Sequence, residues 1–410
     1  MEKKKLERKN IWIVVILGIL GQIAWGLENS WFNTYTYDAI TTETWPIALM
    51  NGASAVVATL TTFLVGTLSD RVGKRKPFIR YGYLIWGFFT AAILFGEVMP
   101  NVTAAALTVV VIDCVMTFFG STAYDACYNA WTTDISNEGN RGRITAIVQI
   151  APLASGVILA GAGAIVDNFG YHVFFIAIGL LVSAVGLLVG GWIKDSPDLK
   201  PDRSASGRTL LSEILHAFSK ESIRANRELF LILATFCVVA TGFQVSYAYE
   251  MIYANNYLGV SKSFATLLTA GALPFIVTAS FVGGKLADTG KGRMGLLVSP
   301  ALFFIGAVLH GCSKNIVVVI IARIFLYVGY FLMTVTATAM FKNLTPEETR
   351  GKFEGVRMVF VVMLPMVIGP QIGSALIKAF DIAPVLYFVT GLVGLLAYLP
   401  LAALNKNKTL

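Results

Sequence analysis

Long runs of apolar residues alternate with short polar connections along nearly the whole chain. Twelve of these runs contain about 20 or more residues, which is enough for a helix to cross a hydrocarbon layer of about 30 Å. Peptide groups in lipid must bond within their own segment, so each run is predicted to be a membrane-spanning helix. The runs lie at residues 11–38, 46–69, 77–98, 102–133, 143–166, 171–193, 229–256, 263–287, 294–312, 315–341, 353–379 and 383–404.

Composition agrees with a polytopic membrane protein. Hydrophobic residues make up 56% of the chain and charged residues 14%, whereas soluble domains carry roughly 25% charged residues. The mean hydropathy is +0.70. The first run is too long, and too polar in its outer half, for a cleaved signal peptide, so it is expected to remain as the first helix.

One polar, charged segment divides this pattern. We therefore predict an N-terminal six-helix half at residues 1–193, a cytoplasmic linker at 194–228 and a C-terminal six-helix half at 229–410. Apolar residues recur in the linker with helical spacing, which predicts a short amphipathic helix, either at the membrane interface or packed beneath the bundle. These residues are Leu210, Leu211, Ile214, Leu215 and Phe218.

The first and seventh predicted helices share a pattern of polar and aromatic residues. Neither chance nor the composition of a lipid-facing surface readily supplies such matches inside apolar helices. The pattern therefore predicts two related halves with a polar axis. The matched pairs are Gln22 and Gln244, Trp25 and Tyr247, Glu28 and Glu250, Trp31 and Tyr253, Asn33 and Asn255, and Tyr35 and Tyr257.

Lys and Arg are concentrated in every second connection. Five precede the first helix and five lie around the connection between helices 2 and 3, whereas the opposite side carries only Lys262, Lys314 and Lys378. Because cytoplasmic loops are rich in Lys and Arg, both termini are predicted to be cytoplasmic, in a cell inner (plasma) membrane. The asymmetry explains the net charge of +8, so nucleic-acid binding is not indicated.

Two connections also recur in both halves. Residues 66–76, between helices 2 and 3, recur in weaker form at 284–293, and residues 134–143 recur at 343–352. Parallel repeats of this kind are typical of transporters. The run 66–76 resembles the signature loop of the major facilitator superfamily. That resemblance implies an all-α membrane protein with twelve transmembrane helices in two pseudo-symmetric six-helix halves, which rock around a central site.

Residues 69–79 resemble, more narrowly, the glycoside, pentoside and hexuronide cation symporters and their sucrose-transporter relatives. The sodium-coupled melibiose permeases of that family carry a pair of acids in helix 2, but residues 51–65 contain none. Proton coupling is therefore expected. Carboxylates within spanning helices are the candidates to carry the proton, because burial favours their protonated form. These are Glu28, Asp113, Asp125 and Glu250.

A pair of opposite charges is predicted near the membrane midplane. Asp113 in helix 4 and Arg323 in helix 10 each lie about ten residues from the outer end of their helix. The loop repeats align Arg323 with Cys114, next to Asp113. The two charges are therefore expected to face each other across the axis, as a static ion pair or as a coupling switch.

Sugars present hydroxyl groups and apolar C–H faces, which suit carboxylates, amides and flat aromatic rings. Such residues cluster in helices 1, 4, 7 and 10. The outer aromatic residues Trp31, Tyr35, Tyr253 and Tyr257 equally fit anchors at the membrane interface. The predicted substrate-binding residues are Gln22, Trp25, Glu28, Asn29, Asp125, Tyr128, Gln244, Tyr247, Glu250 and Arg323.

The signature loop predicts a gate at the cytoplasmic face. Its glycines allow two helices to turn closely, and Asp70 is suited to bind a cation or a helix N-terminus. The resemblance implies Arg357 as its partner. The alternative is that the basic residues of the loop only fix the topology. The predicted gating residues are Gly66, Asp70, Arg71, Gly73, Asp288 and Arg357.

Together these features predict a secondary transporter that imports a sugar or glycoside with protons by alternating access. The alternatives are a proton-driven exporter of amphipathic compounds and a non-transporting membrane sensor. No enzyme is expected, because no acidic metal motif, paired histidines or nucleophile motif is found. The expected partners are a small-molecule substrate, protons and the lipid bilayer, for a monomeric chain.

Neither a cofactor nor a metal is expected. The four cysteines lie in apolar runs without metal-type spacing, which predicts buried thiols. The three histidines, His172, His216 and His310, are far apart along the chain, which argues against a histidine-rich metal site.

Overall fold

A computed structural model describes residues 8–136, 141–197, 199, 201, 212, 216–345 and 350–404. These residues form helices and short connections. In chain order the long helices are α1 (Arg8–Ile40), α2 (Trp45–Val72), α3 (Lys76–Val98), α4 (Val102–Asp134), α5 (Arg141–Leu159), α6 (Ala162–Trp192), α7 (Arg227–Asn256), α8 (Lys262–Asp288), α9 (Gly292–Cys312), α10 (Ile316–Leu344), α11 (Phe353–Phe380) and α12 (Val385–Ala402).

Eleven of these helices, within the residues just given, are long and apolar enough to cross a membrane. The remaining helix, α5, is shorter in its apolar part, which covers Ile150–Leu159. The predicted fifth run, residues 143–166, is interrupted because the backbone tightens after Leu159: the Gly161 N–H bonds to the Ile158 carbonyl at 3.2 Å. At Gly170 the backbone leaves helical geometry, with φ of 77°, which suits glycine. The range α6 therefore comprises two helical segments, and the second begins where the predicted sixth run, residues 171–193, begins.

The part of the predicted linker that carries Leu210, Leu211, Ile214 and Leu215 lies outside the described residues. A short helix, Lys220–Ala225, precedes α7. Near it, Phe218 packs against Phe230 of α7, with ring centroids 6.2 Å apart. Ala217, Leu229 and Phe353 belong to the same buried apolar cluster.

The chain divides into two compact units. One comprises residues Met1–Thr42 and Val56–Leu211, and the other comprises Glu43–Ala55 and Ser212–Leu410. We call them the first and the second unit. The start of α2 thus groups with the second unit, where the hydroxyl oxygens of Thr44 and Ser374 lie 2.8 Å apart.

Glycine allows close backbone packing within each unit. A Cβ added to Gly87 of α3 would lie 2.3 Å from the Gly179 carbonyl oxygen of α6, and one added to Gly306 of α9 would lie 2.2 Å from the Leu326 nitrogen of α10. Small residues at such crossings are characteristic of helices packed in lipid, where dispersion between close backbones drives association. These contacts position the polar side chains of the adjoining helices.

Several helices depart from regular α geometry at chemically important places. Residues Leu27–Phe32 of α1, Ser121–Tyr128 of α4 and Val359–Met363 of α11 form π-helical turns. In α7 the α-helical pattern stops at Tyr247 and resumes at Glu250. Such irregular turns are often found at functional sites.

The cysteine prediction holds only in part. Cys127 is buried, Cys114 and Cys237 are partly exposed and Cys312 is exposed. Cys312 is exposed because it is the last residue of α9.

Candidate functional site

The first unit contains a buried carboxylate cluster between α1 and α4. Glu28 lies in the π-helical turn of α1 and is 6% exposed. The Thr117 hydroxyl of α4 donates a hydrogen bond of 2.8 Å to Glu28 Oε1. Asp113, one helical turn before Thr117, is fully buried. Two of the four predicted proton-carrying acids therefore lie in the same pair of helices, away from bulk water.

The predicted substrate residues of α1 contact the core of the first unit. Gln22 donates a hydrogen bond of 3.0 Å to the Tyr124 hydroxyl. Trp25 packs on Trp86 of α3, with ring centroids 4.8 Å apart, and Asn29 donates to the Trp25 carbonyl at 2.8 Å. All three of the predicted residues remain partly exposed, so contact with a solute is compatible with these bonds.

The predicted residues of α4 divide into an accessible acid and a buried tyrosine. Asp125 accepts a hydrogen bond of 3.0 Å from Ser121 and is partly exposed. Tyr128 is fully buried and donates to the Val14 carbonyl at 2.7 Å, which joins α4 to α1. Its ring stacks on Tyr124 at 4.9 Å. In this arrangement the Tyr128 hydroxyl bonds the backbone.

Three of the four outer aromatic residues are buried in their units, and Tyr257 is partly exposed. Trp31 and Tyr253 are 2% and 0% exposed, and Tyr35 is 0% exposed. Tyr35 donates a hydrogen bond of 3.0 Å to Glu97, and His172 lies 3.0 Å from the same carboxylate. These contacts favour packing over the interfacial-anchor alternative for these residues. Tyr257 lies under the Lys314 ammonium, 4.0 Å from the ring centre.

The second unit contains an ion pair at the break in α7. Glu250 Oε1 lies 2.9 Å from Arg323 Nη2 of α10, and the two side chains are 14% and 3% exposed. Tyr327 donates a hydrogen bond of 2.6 Å to the other carboxylate oxygen. Thr269 of α8 links both partners, since it accepts from Arg323 Nη1 at 3.0 Å and donates to Glu250 at 3.3 Å. Three helices therefore meet at this pair.

This finding refines the predicted role of Arg323. Its ion-pair partner is Glu250, in its own unit. The predicted pairing with Asp113, which belongs to the first unit, stays a prediction.

The ion pair lines a small enclosed cavity rich in aromatic rings. The space that the centre of a water molecule can occupy is about 10 Å³, roughly the minimum for one ordered water. Phe243 stacks on Tyr247 at 4.8 Å and on Tyr330 at 4.0 Å beside it. The lining residues are Phe243, Ser246, Tyr247, Glu250, His310, Arg323, Leu326, Tyr327 and Tyr387.

Gln244 lies in α7 between the lining residues Phe243 and Ser246 and is partly exposed. Gly369 of α11 packs against it so closely that an added Cβ would lie 2.5 Å from the Gln244 Cβ. Gln244 Oε1 has no hydrogen-bond partner among the described residues. Of the predicted residues of the second unit, Tyr247, Glu250 and Arg323 are therefore brought together, while Gln244 lies beside them.

The predicted gate is organised around an arginine that the sequence did not single out. Arg75 is 5% exposed. Its guanidinium bonds the Ser69 hydroxyl and the Asp70 carboxylate, and its Nε donates to Asp134 at 3.1 Å. Burial lowers the pKa of Arg75, but hydrogen bonds to Asp134 and Asp70 outweigh this and hold the pKa above its ordinary value.

A fifth side chain completes this cluster. Asp195, just beyond α6, accepts hydrogen bonds from the backbone N–H groups of Arg75 at 2.7 Å and Lys76 at 3.0 Å. It thereby satisfies donors at the start of α3, where a carboxylate also interacts favourably with the helix dipole. We call Ser69, Asp70, Arg75, Asp134 and Asp195 the Arg75 cluster.

The other predicted gating residues have different surroundings. Gly73 has φ of 66°, which requires glycine, and Gly66 has open space around the position of a Cβ. Arg71 and Asp288 are exposed. Arg357, the implied partner of Asp70, lies 2.8 Å from Glu354, whereas Asp70 pairs with Arg75.

The model of the Major Facilitator Superfamily matches residues 15–309 and 231–409, which together cover nearly the whole chain. The multidrug transporter protein MdtP of Bacillus subtilis is 32% identical over 188 residues, 45% of this chain and 34% of that protein. An uncharacterized MFS-type transporter of Mycobacterium tuberculosis is 36% identical over 94 residues, 23% of this chain and 13% of that protein. The matched part of this chain thus spans about a third or less of these relatives.

Solved structures resemble the chain over its full length. The nucleoside transporter NupG superposes with a TM-score of 0.73 at 12% identity, covering 97% of this chain and 99% of that chain. A D-xylose-proton symporter superposes with a TM-score of 0.73 at 14% identity, covering 98% and 100%. At such low identity these likenesses establish the fold.

Proposed function

The chain belongs to the major facilitator superfamily, and on that premise we propose that it imports a sugar or glycoside together with protons by alternating access. Membership of this family makes it a membrane transporter of small molecules and not an enzyme. The substrate class, the coupling ion and the direction of transport are the proposal.

The buried pair of Glu250 and Arg323 is the observation that carries the proposal. A carboxylate in a spanning helix is costly and usually serves a pathway for ions or protons. Here it has a cationic partner at 2.9 Å and a hydroxyl donor at 2.6 Å. Protonation of Glu250 would remove its charge and release Arg323, which gives the second unit two electrostatic states.

The matching position in the first unit supports the same role for Glu28. Both acids lie at irregular turns, Glu28 in a π-helical turn and Glu250 at the break in α7. Both accept a hydroxyl hydrogen bond from the fourth long helix of their half, from Thr117 of α4 and Tyr327 of α10. Unwound helix segments are characteristic of binding sites in secondary transporters.

The surroundings of these acids suit a polyhydroxylated ring. The partly exposed rings of Trp25 and Tyr247 offer apolar surfaces for C–H groups. Amide and carboxylate groups of Gln22, Gln244 and Asp125 can form hydrogen bonds with hydroxyl groups, since each side chain is partly exposed. We include Asn29 in this set, and Asp113 among the residues that hold protons.

We further propose that the chain lies in the inner membrane as a monomer with both termini in the cytoplasm. The distribution of Lys and Arg supports this orientation. The Arg75 cluster then lies at the cytoplasmic face. In this arrangement Asp70 exchanges Arg75 for another cation, of which Arg357 is our candidate, as the transporter changes state.

Reconstitution into liposomes tests the proposal. The purified chain should accumulate at least one labelled sugar or glycoside under an inward proton gradient, and a protonophore should abolish the accumulation. Glu250→Gln should lose accumulation but keep exchange of labelled for unlabelled substrate, whereas Glu221→Gln, at an exposed site in the short helix, should keep both. Accumulation that survives the protonophore, or that is intact in Glu250→Gln, would contradict proton coupling at this residue.

Export of amphipathic compounds is the second candidate, favoured by an apolar pocket in the first unit. The pocket is an open depression of about 370 Å³ between α2 and α4. The similarity to a multidrug transporter agrees with this alternative. The lining residues are Val57, Val110, Val111, Cys114, Val115 and Phe118.

Cys114 allows the two candidates to be separated. In a variant with Cys127, Cys237 and Cys312 replaced by Ala, a lipophilic cation that occupies the pocket should protect Cys114 from a thiol reagent. Sugars should not protect it. Protection by lipophilic cations, together with their proton-driven efflux from liposomes, would favour the exporter and count against sugar import.

A further inference from the structure

His310 of α9 is a buried polar residue to which the proposed transport mechanism gives no role. It is 1% exposed, and neither ring nitrogen has a hydrogen-bond partner among the described residues. Its ring stacks on Tyr387 of α12, with centroids 3.8 Å apart and planes at 17°. An imidazole always carries at least one donor, and its neutral form also carries one acceptor. Leaving both unused in a buried site is costly.

The same cavity also contains a donor that is poorly aligned with its partner. Arg323 Nη2 lies 2.9 Å from Glu250 Oε1, in ion-pair but not hydrogen-bond geometry, and the Tyr387 side chain also interacts with this guanidinium. Both His310 and Arg323 line the cavity with Glu250. A guanidinium donor and an imidazole acceptor therefore share one enclosed space that has room for about one water molecule.

We propose that His310 is a positioning residue for Arg323: when Glu250 takes up a proton, the neutral imidazole accepts a hydrogen bond from the guanidinium, directly or through one water. This inference rests on the proposed proton uptake at Glu250. The proton adds to the carboxylate, Arg323 keeps its charge, and no covalent bond of His310 changes. His310 thus stabilises the protonated state, because Thr269 accepts only from Arg323 Nη1 and Nη2 would otherwise lose its charged partner in a buried site.

The groups that face His310 agree with a neutral imidazole. The nearby cation is Arg323, which disfavours a second positive charge on the ring, and Glu250 is already paired with it. Tyr387 and Tyr253 are the other polar neighbours, with Tyr253 centred 5.6 Å away. Tyr247 and Tyr327 line the same cavity.

At the same end of α9 as His310, Lys262 begins α8, and Lys314 lies over the Tyr257 ring, which in turn contacts Tyr253. Lys285 and Asp288 are in the last turn of α8, and Tyr398 bonds the Leu297 carbonyl near the start of α9. His310 is near the end of α9. Its environment is therefore set by the cavity and by the groups at this end of the helix.

Infrared difference spectroscopy of the full chain in lipid tests this role without a substrate. The C=O band of the protonated Glu250 carboxyl is followed as the pH is stepped, and Glu250→Gln identifies the band by its loss. His310→Phe keeps a flat ring against Tyr387 but has no acceptor. It should lower the midpoint of the band by about one pH unit or more, a tenfold or larger weakening of proton binding.

Two further variants make the test specific. His310→Gln retains an acceptor that cannot titrate, so its midpoint should stay close to that of the wild type. His172→Phe removes an imidazole that pairs with Glu97 in the first unit, and it should leave the Glu250 band unchanged.

The outcomes separate this inference from the proposed function. A titrating Glu250 band whose midpoint is unmoved or raised in His310→Phe would overturn the role of His310 alone. An equal shift in His310→Gln would also overturn it, since it would assign the effect to the imidazole itself. Absence of a titrating Glu250 band would instead overturn proton uptake at Glu250, and with it both ideas.

Discussion

Thr117 donates a 2.8 Å hydrogen bond to Glu28, so that α4 satisfies a carboxylate of α1 inside the first unit. The Thr117 side chain is 1% exposed, and no bulk water is at hand to replace the bond. The charge state of Glu28 is therefore coupled to the packing of these two helices.

Replacement of Thr117 by Val should shift the pH dependence of transport to higher pH. The variant has nearly the same shape but lacks the donor that stabilises ionised Glu28, so the carboxyl holds its proton at higher pH. The rate of proton-driven uptake measured against pH should show this shift. Thr122→Val is the matched control, because the Thr122 hydroxyl is buried without a hydrogen-bond partner in the described structure. Equal profiles for the two variants would contradict the coupling.

Replacement of Arg323 by Met should destabilise the second unit. It leaves the Glu250 charge buried without its partner, for which the expected loss in the free energy of unfolding is about 3–5 kcal/mol. The double variant with Glu250→Gln should recover much of this loss, because no charge is then left unpaired. Thermal unfolding in detergent compares the four proteins. Additive losses in the double variant would show that the two residues do not act as a pair.

Replacement of Arg75 by Lys should weaken the Arg75 cluster although the charge is kept. A planar guanidinium reaches Ser69, Asp70 and Asp134 at once, which an ammonium on a flexible stem does not reproduce. We expect a loss of about 1–3 kcal/mol, the range for removal of hydrogen bonds to charged groups. Arg71→Lys, at an exposed position of the same loop, should change the unfolding temperature little. Similar effects of the two substitutions would argue against the cluster.

The two signature-loop glycines should respond oppositely to alanine. Gly73→Ala places a side chain on a backbone with φ of 66°, at an expected cost of about 1–2 kcal/mol. Gly66 lies within α2 with open space at its Cβ position, so Gly66→Ala should be neutral or stabilise the helix by up to about 1 kcal/mol. Unfolding temperatures of the two variants check this. If Gly66→Ala abolishes transport while it leaves stability intact, Gly66 has a role in gating.

The sequence predicted the helices well because every apolar run meets the same requirement in lipid, namely that its backbone groups bond within the segment. Long apolar segments must be helical, and their lengths follow from the membrane thickness. The exception is the fifth run, where the backbone tightens after Leu159 within an otherwise apolar stretch. Hydropathy does not register such a local change in backbone geometry.

The sequence predicted which residues belong to the polar site, but it did not predict which of them pair with each other. Matching of helices 1 and 7 placed Glu28 and Glu250 at equivalent positions, yet it did not indicate that Arg323 pairs with Glu250, 73 residues away along the chain. A pairing between helices depends on their rotation about their own axes, which an almost uniformly apolar sequence leaves undefined. The link between Glu250 and Tyr327 was missed for the same reason.

The sequence does contain a signal from which the Arg75 cluster could have been predicted. Asp134 ends α4 and Asp195 follows α6. The chain crosses the membrane between successive connections, so the ends of α2, α4 and α6 are expected on one side. The acids at the ends of α4 and α6 are therefore expected on the same side as the basic loop that follows α2. This arrangement predicts an ionic cluster. Only the buried position of Arg75 identifies which cation lies at its centre.

The bonds from Arg75 and Lys76 to Asp195 span 120 and 119 positions of the chain. A ribosome releases residue 195 only after α1 to α6 have all been synthesised. Until then the first turn of α3 lacks its carboxylate, although every other member of the cluster has already emerged. Assembly of the first unit is therefore complete at this loop only after residue 195 has been synthesised. Nascent chains that end before residue 195 should remain accessible to proteases and chaperones at this loop.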